Sequence, residues 1–231
     1  TMVRPRGPSA PSGKYPVGSY LGEFVAEIRQ NNTLSVIVVT VALVEIFAYS
    51  TETLMPSLAR DRLEVGAEGL GILSAMKSGG GILSMIILAR WGEIRSHGST
   101  LTAILLVLGA SVVILGVASA FYVAVLAILV MSGMMSLWDV FSQRLVQNTV
   151  PNELRGRAMG AWEVAVGTVP LGNMEIGALA SAFGLTFAFV SHGTVVMAVA
   201  IGTLLIFKRL RRQEQSEYSS RSDGDDSDDL V

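Results

Sequence analysis

The feature that most constrains this chain is a series of long apolar segments separated by short polar stretches. A helix needs about 20 mostly apolar residues to cross about 30 Å of hydrocarbon. Six segments meet that requirement: residues 35–56, 69–89, 100–117, 121–141, 158–180 and 185–207. The stretch 101–138 is nearly uninterrupted, but as one helix it would be about 57 Å long, so we expect it to fold back around residues 116–120.

The composition predicts an all-α membrane protein. The chain is 51% hydrophobic and 16% charged, whereas soluble domains carry about 25% charged residues. It has no cysteine, so it offers neither a disulfide framework nor a thiolate metal site. There is also no phosphate-binding loop of the GxxxxGK[ST] type, no nucleophile constellation and no cluster of histidines. We therefore predict no enzyme activity, no cofactor, no metal site and no nucleic-acid partner.

Basic residues between the segments predict the orientation, because loops rich in Lys and Arg stay on the cytoplasmic side. One side would carry most of them, whereas the other would carry only Arg60 and Arg62. Both termini are then cytoplasmic in a multi-pass protein of the plasma membrane. The chain divides into a cytoplasmic linker with an amphipathic helix (1–34), a six-helix transmembrane domain (35–207) and a disordered cytoplasmic tail (208–231).

One stretch is more specific than the rest. The loop QNTVPNELRGRAMG, followed by VPLGNMEIGALASAFG, resembles the loop between the tenth and eleventh helices, and the eleventh helix itself, of the major facilitator superfamily. The nearest resemblance is to its drug and siderophore efflux branch, which includes the enterobactin and macrolide exporters. The loop LARWGEIRSHG after the second span departs from the superfamily signature, because Ala89 stands where an aspartate is expected and Glu93 where an arginine is expected.

The resemblance implies that the chain is helices seven to twelve of a twelve-helix transporter, arranged as three plus three helices in inverted repeat. Its partners would be the lipid bilayer, the N-terminal six-helix half, protons and a small hydrophobic or amphipathic substrate. The implied function is proton-coupled efflux by alternating access. Two alternatives stay open: a six-span scaffold or assembly subunit without a transport cycle, and a self-contained six-span transporter that works as a homodimer.

Ionisable residues inside the spans are candidates for function, because a charge at the bilayer centre costs roughly 2.5 to 3.5 kcal/mol on insertion scales. Such side chains should face protein or a water-filled cavity. They predict that spans one, two, four and five line the interior while three and six face lipid. The six residues are Glu45, Glu52, Lys77, Asp139, Glu163 and Glu175.

The first span predicts a substrate or proton site. Glu45, Tyr49 and Glu52 share one helical stripe, and Lys77 could form an ion pair with Glu45, Glu52 or Glu175. One hypothesis is that a carboxylate of this group binds and releases the coupling proton. The other is a fixed Lys–Glu pair that only holds two helices in register.

The inner ends of the spans predict a cytoplasmic gate. In this hypothesis Asp139 and Glu163 pair with arginines of the adjoining loop, and Gly156 lets helices approach. The alternative is simple anchoring of the arginines at the inner membrane surface. Pro170 is interpreted as a hinge or a tolerated kink in span five, and His192 as a partner in an interhelical hydrogen bond. The gate arginines are Arg144, Arg155 and Arg157.

Overall fold

The structure, a computed structural model, describes residues 32–91 and 97–228. The predicted amphipathic helix lies outside these residues. Helix α1 begins the described part and continues through a 3-10 segment, Tyr49–Leu54, a single α-helical turn, Met55–Ser57, and a π-helical turn, Leu58–Arg62. The α-helices are α1 (Asn32–Phe47), α2 (Gly66–Trp91), α3 (His97–Val117), α4 (Phe121–Thr149), α5 (Arg155–Val166), α6 (Val169–Phe183) and α7 (Leu185–Asp228).

The described residues form helices and no strand, which confirms the prediction of an all-α membrane fold. By length and composition five helical segments could cross a membrane: Thr33–Arg62, Gly66–Arg90, Gly98–Val117, Phe121–Thr149 and Leu185–Ile206. They match predicted spans one, two, three, four and six. The expected fold-back lies where α3 ends at Val117 and α4 begins at Phe121.

The fifth predicted span differs from one continuous helix, because it is divided between α5 and α6. Helices of 12 and 15 residues are about 18 and 22 Å long, each too short to cross the hydrocarbon alone. Pro170 stands in the first turn of α6, where its missing N–H costs nothing. The proline therefore lies just after the break, at the start of the second short helix.

Helices α5 and α6 run alongside the first span in the same direction. Thr168, between them, donates from Oγ1 to the Ala42 carbonyl oxygen at 3.3 Å. One turn later Gly172 lies against Ile46, so closely that a Cβ on the glycine would be 2.3 Å from the Ile46 carbonyl oxygen. The two short helices thus cross the bundle together, as one broken span.

Glycines set the closest helix contacts. A Cβ added to Gly109 in α3 or to Gly193 in α7 would come within 2.6 Å of the other glycine's carbonyl oxygen, and one on Gly80 in α2 within 2.1 Å of the Leu129 carbonyl oxygen in α4. Helix α4 also packs on α3, and α1 on α5, α6 and α7. These contacts place α1 and α4 in the middle of the bundle.

Large apolar side chains are exposed on several helices, so the partition predicted from charges describes only part of the surface. The outer faces of α3 and α7 are apolar, as expected for lipid contact, but so are faces of α2 and α6. The exposed residues of these two are Ile72, Ile82, Leu83, Ile86 and Ile87 in α2 and Leu171, Met174 and Phe183 in α6.

Arg62 joins three chain connections at one end of the bundle. Its Nε donates to the Ala118 carbonyl oxygen at 2.9 Å, just beyond α3, and its Nη1 contacts Thr186 Oγ1, in the first turn of α7. The loops after spans one, three and five therefore lie together, as antiparallel neighbours require. At the opposite end, the last helix continues to Asp228, across residues where the sequence predicts a disordered tail; the division into domains stays a prediction.

Candidate functional site

The backbone of the first span is irregular where its polar residues lie. The α-helix ends at Phe47, and the 3-10 segment that follows carries both Tyr49 and Glu52. The hydroxyls of Ser50 and Thr51 donate to the carbonyl oxygens of Ile46 and Ala48, so local side chains satisfy part of the disrupted helical ladder. A stretch of 3-10 helix inside a longer helix is typical of a hinge or of local strain.

Lys77 pairs with Glu52. The distance from Lys77 Nζ to Glu52 Oε2 is 2.5 Å, and both side chains are partly exposed. Of the three partners that the sequence leaves open for this lysine, the structure selects the one in the 3-10 segment. The backbone of α2 is held at the same point, because Ser132 in α4 donates from Oγ to the Lys77 carbonyl oxygen at 2.5 Å.

Tyr49 and Asp139 form a second contact across the middle of the bundle. The Tyr49 hydroxyl lies 2.7 Å from Asp139 Oδ1 and 3.1 Å from the Met135 carbonyl oxygen, and donates toward both. Asp139, assigned by sequence to an inner gate, is therefore joined to the stripe on the first span. The sequence places both residues inside the bundle, but it does not indicate that they touch.

Glu45 is enclosed without a partner. The residue is 2% exposed, and no hydrogen bond or ion pair links its carboxyl group to another described residue. It lies within electrostatic range of Asp139 and Glu52. We call these five residues the polar cluster: Glu45, Tyr49, Glu52, Lys77 and Asp139. The cluster brings three carboxyl groups, one ammonium and one phenol together between α1, α2 and α4.

Glu175 lies apart from Lys77 and contacts His192 instead. His192 Nε2 is 3.0 Å from Glu175 Oε2, and the imidazole meets the Phe47 ring edge-on with 5.3 Å between centroids. The sequence does contain a signal for this pair. Glu175 precedes Gly184 by nine residues and His192 follows it by eight, so a tight turn at Gly184 puts the two side chains at similar depth on antiparallel helices.

Apart from Asp139, the residues assigned to the inner gate lie toward the end of the bundle opposite Arg62. Arg155 donates from Nε to the Gln147 carbonyl oxygen at 3.1 Å, which ties α5 to the end of α4. No described atom lies within 4 Å of a Cβ placed on Gly156. The other gate side chains are exposed: Arg144, Arg157 and Glu163.

Comparison with known proteins decides the family. The sequence model of the family described as transmembrane secretion effector, within the major facilitator superfamily, matches residues 19–228. The chain belongs to this family. Searches of curated proteins and of solved structures found no match. The superfamily expected from the loop after α4 is confirmed: this chain is a multi-pass membrane protein of a family of transporters rather than of enzymes.

Membership of a transporter family gives the helix breaks of this chain a context. In many transporters, discontinuous helices form the substrate and ion sites near mid-membrane. Here the irregular part of span one lies beside the first half of α6, shortly after the break between α5 and α6, since Thr53 Oγ1 donates to Asn173 Oδ1 at 2.8 Å. The polar cluster thus adjoins two interrupted spans.

Proposed function

We propose that this chain is the C-terminal half of an alternating-access transporter that exports a small hydrophobic or amphipathic molecule in exchange for protons. The observation that supports this most is Glu45, a carboxyl group enclosed in a membrane span with no partner among the described residues. An ionised carboxylate in such a place is costly, so the group gives up its charge by binding a proton.

The neighbours of Glu45 couple that proton to a conformational change. With Glu45 ionised, three carboxylates oppose the single ammonium of Lys77, and the enclosed arrangement is destabilised by repulsion. Proton uptake at Glu45 removes one negative charge and favours enclosure, whereas proton release favours a form that admits water. The 3-10 segment beside Glu45 is where the first span changes shape in this scheme.

The apolar faces of α2 and α6 support the proposal that an N-terminal six-helix half completes the transporter. Each of these helices carries a charged residue as well as exposed apolar residues. The charged residues are Lys77 on α2 and Glu175 on α6. A second half that covers these faces would enclose a substrate path next to the polar cluster. In this proposal both termini are cytoplasmic, and the membrane is the plasma membrane.

An inner gate completes the proposed cycle. As the inner end closes, Asp139 would lose its hydrogen bond from Tyr49 and pair with one of the gate arginines. Glu163 would also pair with one of these arginines, which are Arg144, Arg155 and Arg157. The small Gly156 leaves room for helices to approach at the start of α5, and the break just before Pro170 lets α5 move separately from α6. The gate predicts that the Tyr49–Asp139 bond belongs to one state of the cycle only.

The decisive experiment is Glu45→Gln in cells that express this chain together with an N-terminal half. Export of the amphipathic dye Hoechst 33342 should fall about tenfold or more, because the amide cannot bind the coupling proton, while the amount in the membrane should stay the same. Glu68→Gln, in the exposed first turn of α2, is the matched control and should export at the wild-type rate.

Two outcomes would count against the proposal. If Glu45→Gln exports dye as fast as wild type and still depends on the proton gradient, Glu45 does not carry the proton. If the wild-type complex assembles in the membrane but moves neither dye nor protons, the alternative of a scaffold without a transport cycle is favoured.

A further inference from the structure

An exposed polar surface adjoins the polar cluster and extends it to α6. Thr53 Oγ1 donates to Asn173 Oδ1 at 2.8 Å, at the surface of the bundle. The residue before Thr53, Glu52, accepts from Lys77 on the other side, and these two side chains are 29% and 38% exposed. The contacts therefore join α2, the 3-10 segment and α6. We call these four residues the mid-span surface: Glu52, Thr53, Lys77 and Asn173.

The mid-span surface lies near the middle of the membrane. Thr53 lies nine residues before Arg62, where the first span ends, Lys77 lies eleven residues after the first residue of α2, and Asn173 lies eleven before the glycine that follows α6. These connections share one end of the bundle, so the side chains lie about 15 Å below it, roughly half the hydrocarbon thickness. Exposed polar groups at this depth are costly in lipid, so the surface faces protein or an aqueous path.

The hydrogen bonds of this surface leave donors unused on both sides of the 3-10 segment. The Asn173 amide is bonded through its oxygen, so no described residue accepts from the two N–H groups of its Nδ2. Lys77 Nζ donates to Glu52 Oε2 and keeps further hydrogens without an acceptor among the described residues. An N–H group removed from water without an acceptor is destabilising. An occupant of this surface should therefore supply acceptors.

The charges of the mid-span surface favour an occupant without net charge. The Lys77 ammonium and the Glu52 carboxylate offset each other, and the other two side chains are neutral. Glu175 is also on α6, but it follows Asn173 by two residues, which places it about 200° around the helix axis and on another face. This surface thus offers no unpaired carboxylate to a cation and no unpaired ammonium to an anion.

From these contacts we infer that Asn173 binds the polar end of the transported molecule, and that this end is a group without net charge whose oxygen accepts hydrogen bonds, such as an amide, an ether or an amine oxide. The inference rests on the proposed function, because it takes the occupant of the surface to be the substrate. The apolar part of such a molecule meets Pro170 and Met174, which are exposed beside Asn173 on α6.

The test needs a reporter that leaves the hydrogen bonds of the surface in place. Ser74 is exposed one turn before Lys77 on α2, and its hydroxyl donates within its own helix, to the Leu70 carbonyl oxygen at 2.9 Å. The chain has no cysteine, so Ser74→Cys is the single reactive position when the chain is co-expressed with a cysteine-free N-terminal half. Its rate of reaction with N-ethylmaleimide is measured in membrane vesicles.

Two probes with the same dodecyl tail separate the possible polar ends. Dodecyldimethylamine oxide has an acceptor oxygen and no net charge, whereas dodecyltrimethylammonium has a methyl group in place of that oxygen and a positive charge. Both are added below the concentration at which they form micelles. We expect the amine oxide to slow the labelling of Ser74→Cys and the ammonium to leave its rate unchanged. Leu83→Cys, on the apolar side of α2, should be unreactive throughout.

Adding Asn173→Ala to the reporter chain tests the role of the amide. The amine oxide concentration that gives half of the protection should rise about fivefold to tenfold, as expected when one hydrogen bond is lost. Asn152→Ala makes the same substitution in the exposed connection before α5 and is the matched control, so it should leave that concentration unchanged.

Three results would overturn the inference: protection by the ammonium equal to that by the amine oxide, an unchanged half-protection concentration in Asn173→Ala, or a Ser74→Cys that is as unreactive as Leu83→Cys. Should Asn173→Ala not reach the membrane, the comparison of the two probes still decides. Export of Hoechst 33342 is measured on the same complex. Export without protection removes this inference alone, whereas protection without export supports the binding site and counts against the proposed function.

Discussion

Two buried tryptophans differ in one hydrogen bond. Trp162 donates from Nε1 to Ser142 Oγ at 3.2 Å, which joins α5 to α4. Trp138 is 2% exposed, and its Nε1 has no partner among the described residues. Its ring lines a small cavity together with Thr40, Thr102 and Ser142. A buried N–H without a partner is rare, because its desolvation is not offset.

The two tryptophans, Trp138 and Trp162, provide a prediction in which one variant is the control for the other. Replacing either tryptophan by Phe removes similar ring volume, but only Trp162→Phe breaks a hydrogen bond. We expect it to lower the free energy of unfolding by about 1 kcal/mol more than Trp138→Phe does. Denaturant unfolding in detergent micelles measures the difference. Equal losses, or a larger loss for Trp138→Phe, would mean that the cavity supplies a partner for the Trp138 N–H.

Individual contacts of the polar cluster could be predicted only in part. The positions of Glu45, Tyr49 and Glu52 along one stripe follow from helical periodicity, and the need of Lys77 for a carboxylate follows from the cost of a lone charge in lipid. The choice of Glu52, and the bond from Tyr49 to Asp139, depend on which faces of two helices meet. That relation is set by packing between segments distant in the chain, and periodicity within one segment does not contain it.

At the scale of elements, α2 approaches the backbone of α4 most closely at one glycine of a run of three. A Cβ at position 80 would be 2.1 Å from the Leu129 carbonyl oxygen, whereas one at position 79 meets nothing within 4 Å. Helices approach this closely only where a small residue faces the neighbouring backbone. The Lys77–Glu52 pair lies one turn away, so the spacing of these helices also positions the polar cluster.

We expect Gly80→Ala to destabilise the bundle by about 1 to 3 kcal/mol, because backbone has to move. Gly79→Ala should be neutral or stabilise by up to about 1 kcal/mol, since alanine is the better helix former. Thermal unfolding of both variants in nanodiscs makes the comparison. If the two melt together, backbone contact at Gly80 does not hold α2 against α4.

The broken fifth span shows why the element prediction was incomplete. Hydropathy over residues 158–180 predicts a span because both short helices are apolar, and averaging over a window conceals a gap of two residues. Pro170 was the available signal, but a proline is compatible with either a kink or a new helix. The interruption at residues 167–168 is seen only in the structure, where Thr168 and Gly172 also contact the first span, which is distant in the sequence.

At the scale of the whole molecule, length and apolar content predicted the order of the five segments that are long enough to cross a membrane, whereas the fifth of the six predicted spans is divided into two short helices. The contacts of Arg62 agree with that order, since they join connections that should share one end. Orientation relative to the cell is a different property. It depends on the bilayer and on how the chain was inserted, so it remains a prediction from the distribution of basic residues.

The chain has no cysteine, so single cysteines can test orientation without background. Asp61→Cys and Ser119→Cys should react with a membrane-impermeant maleimide added to intact cells, and Asn152→Cys only after the membrane is opened. Ile82→Cys, on the apolar face of α2, is the unreactive control. Reaction of positions 61 and 152 from the same side would contradict both the antiparallel order and the predicted orientation.

The contacts of Arg62 with two other chain connections limit how the lengths of these connections can change in evolution. Ordinary surface connections tolerate inserted residues well. Here a longer turn after α3, or one added residue before α7, would move Ala118 or Thr186 beyond hydrogen-bonding distance of the Arg62 guanidinium. Length variation among relatives should therefore be concentrated at the opposite end of the bundle, where connections are not held by a common side chain of this kind in the described structure.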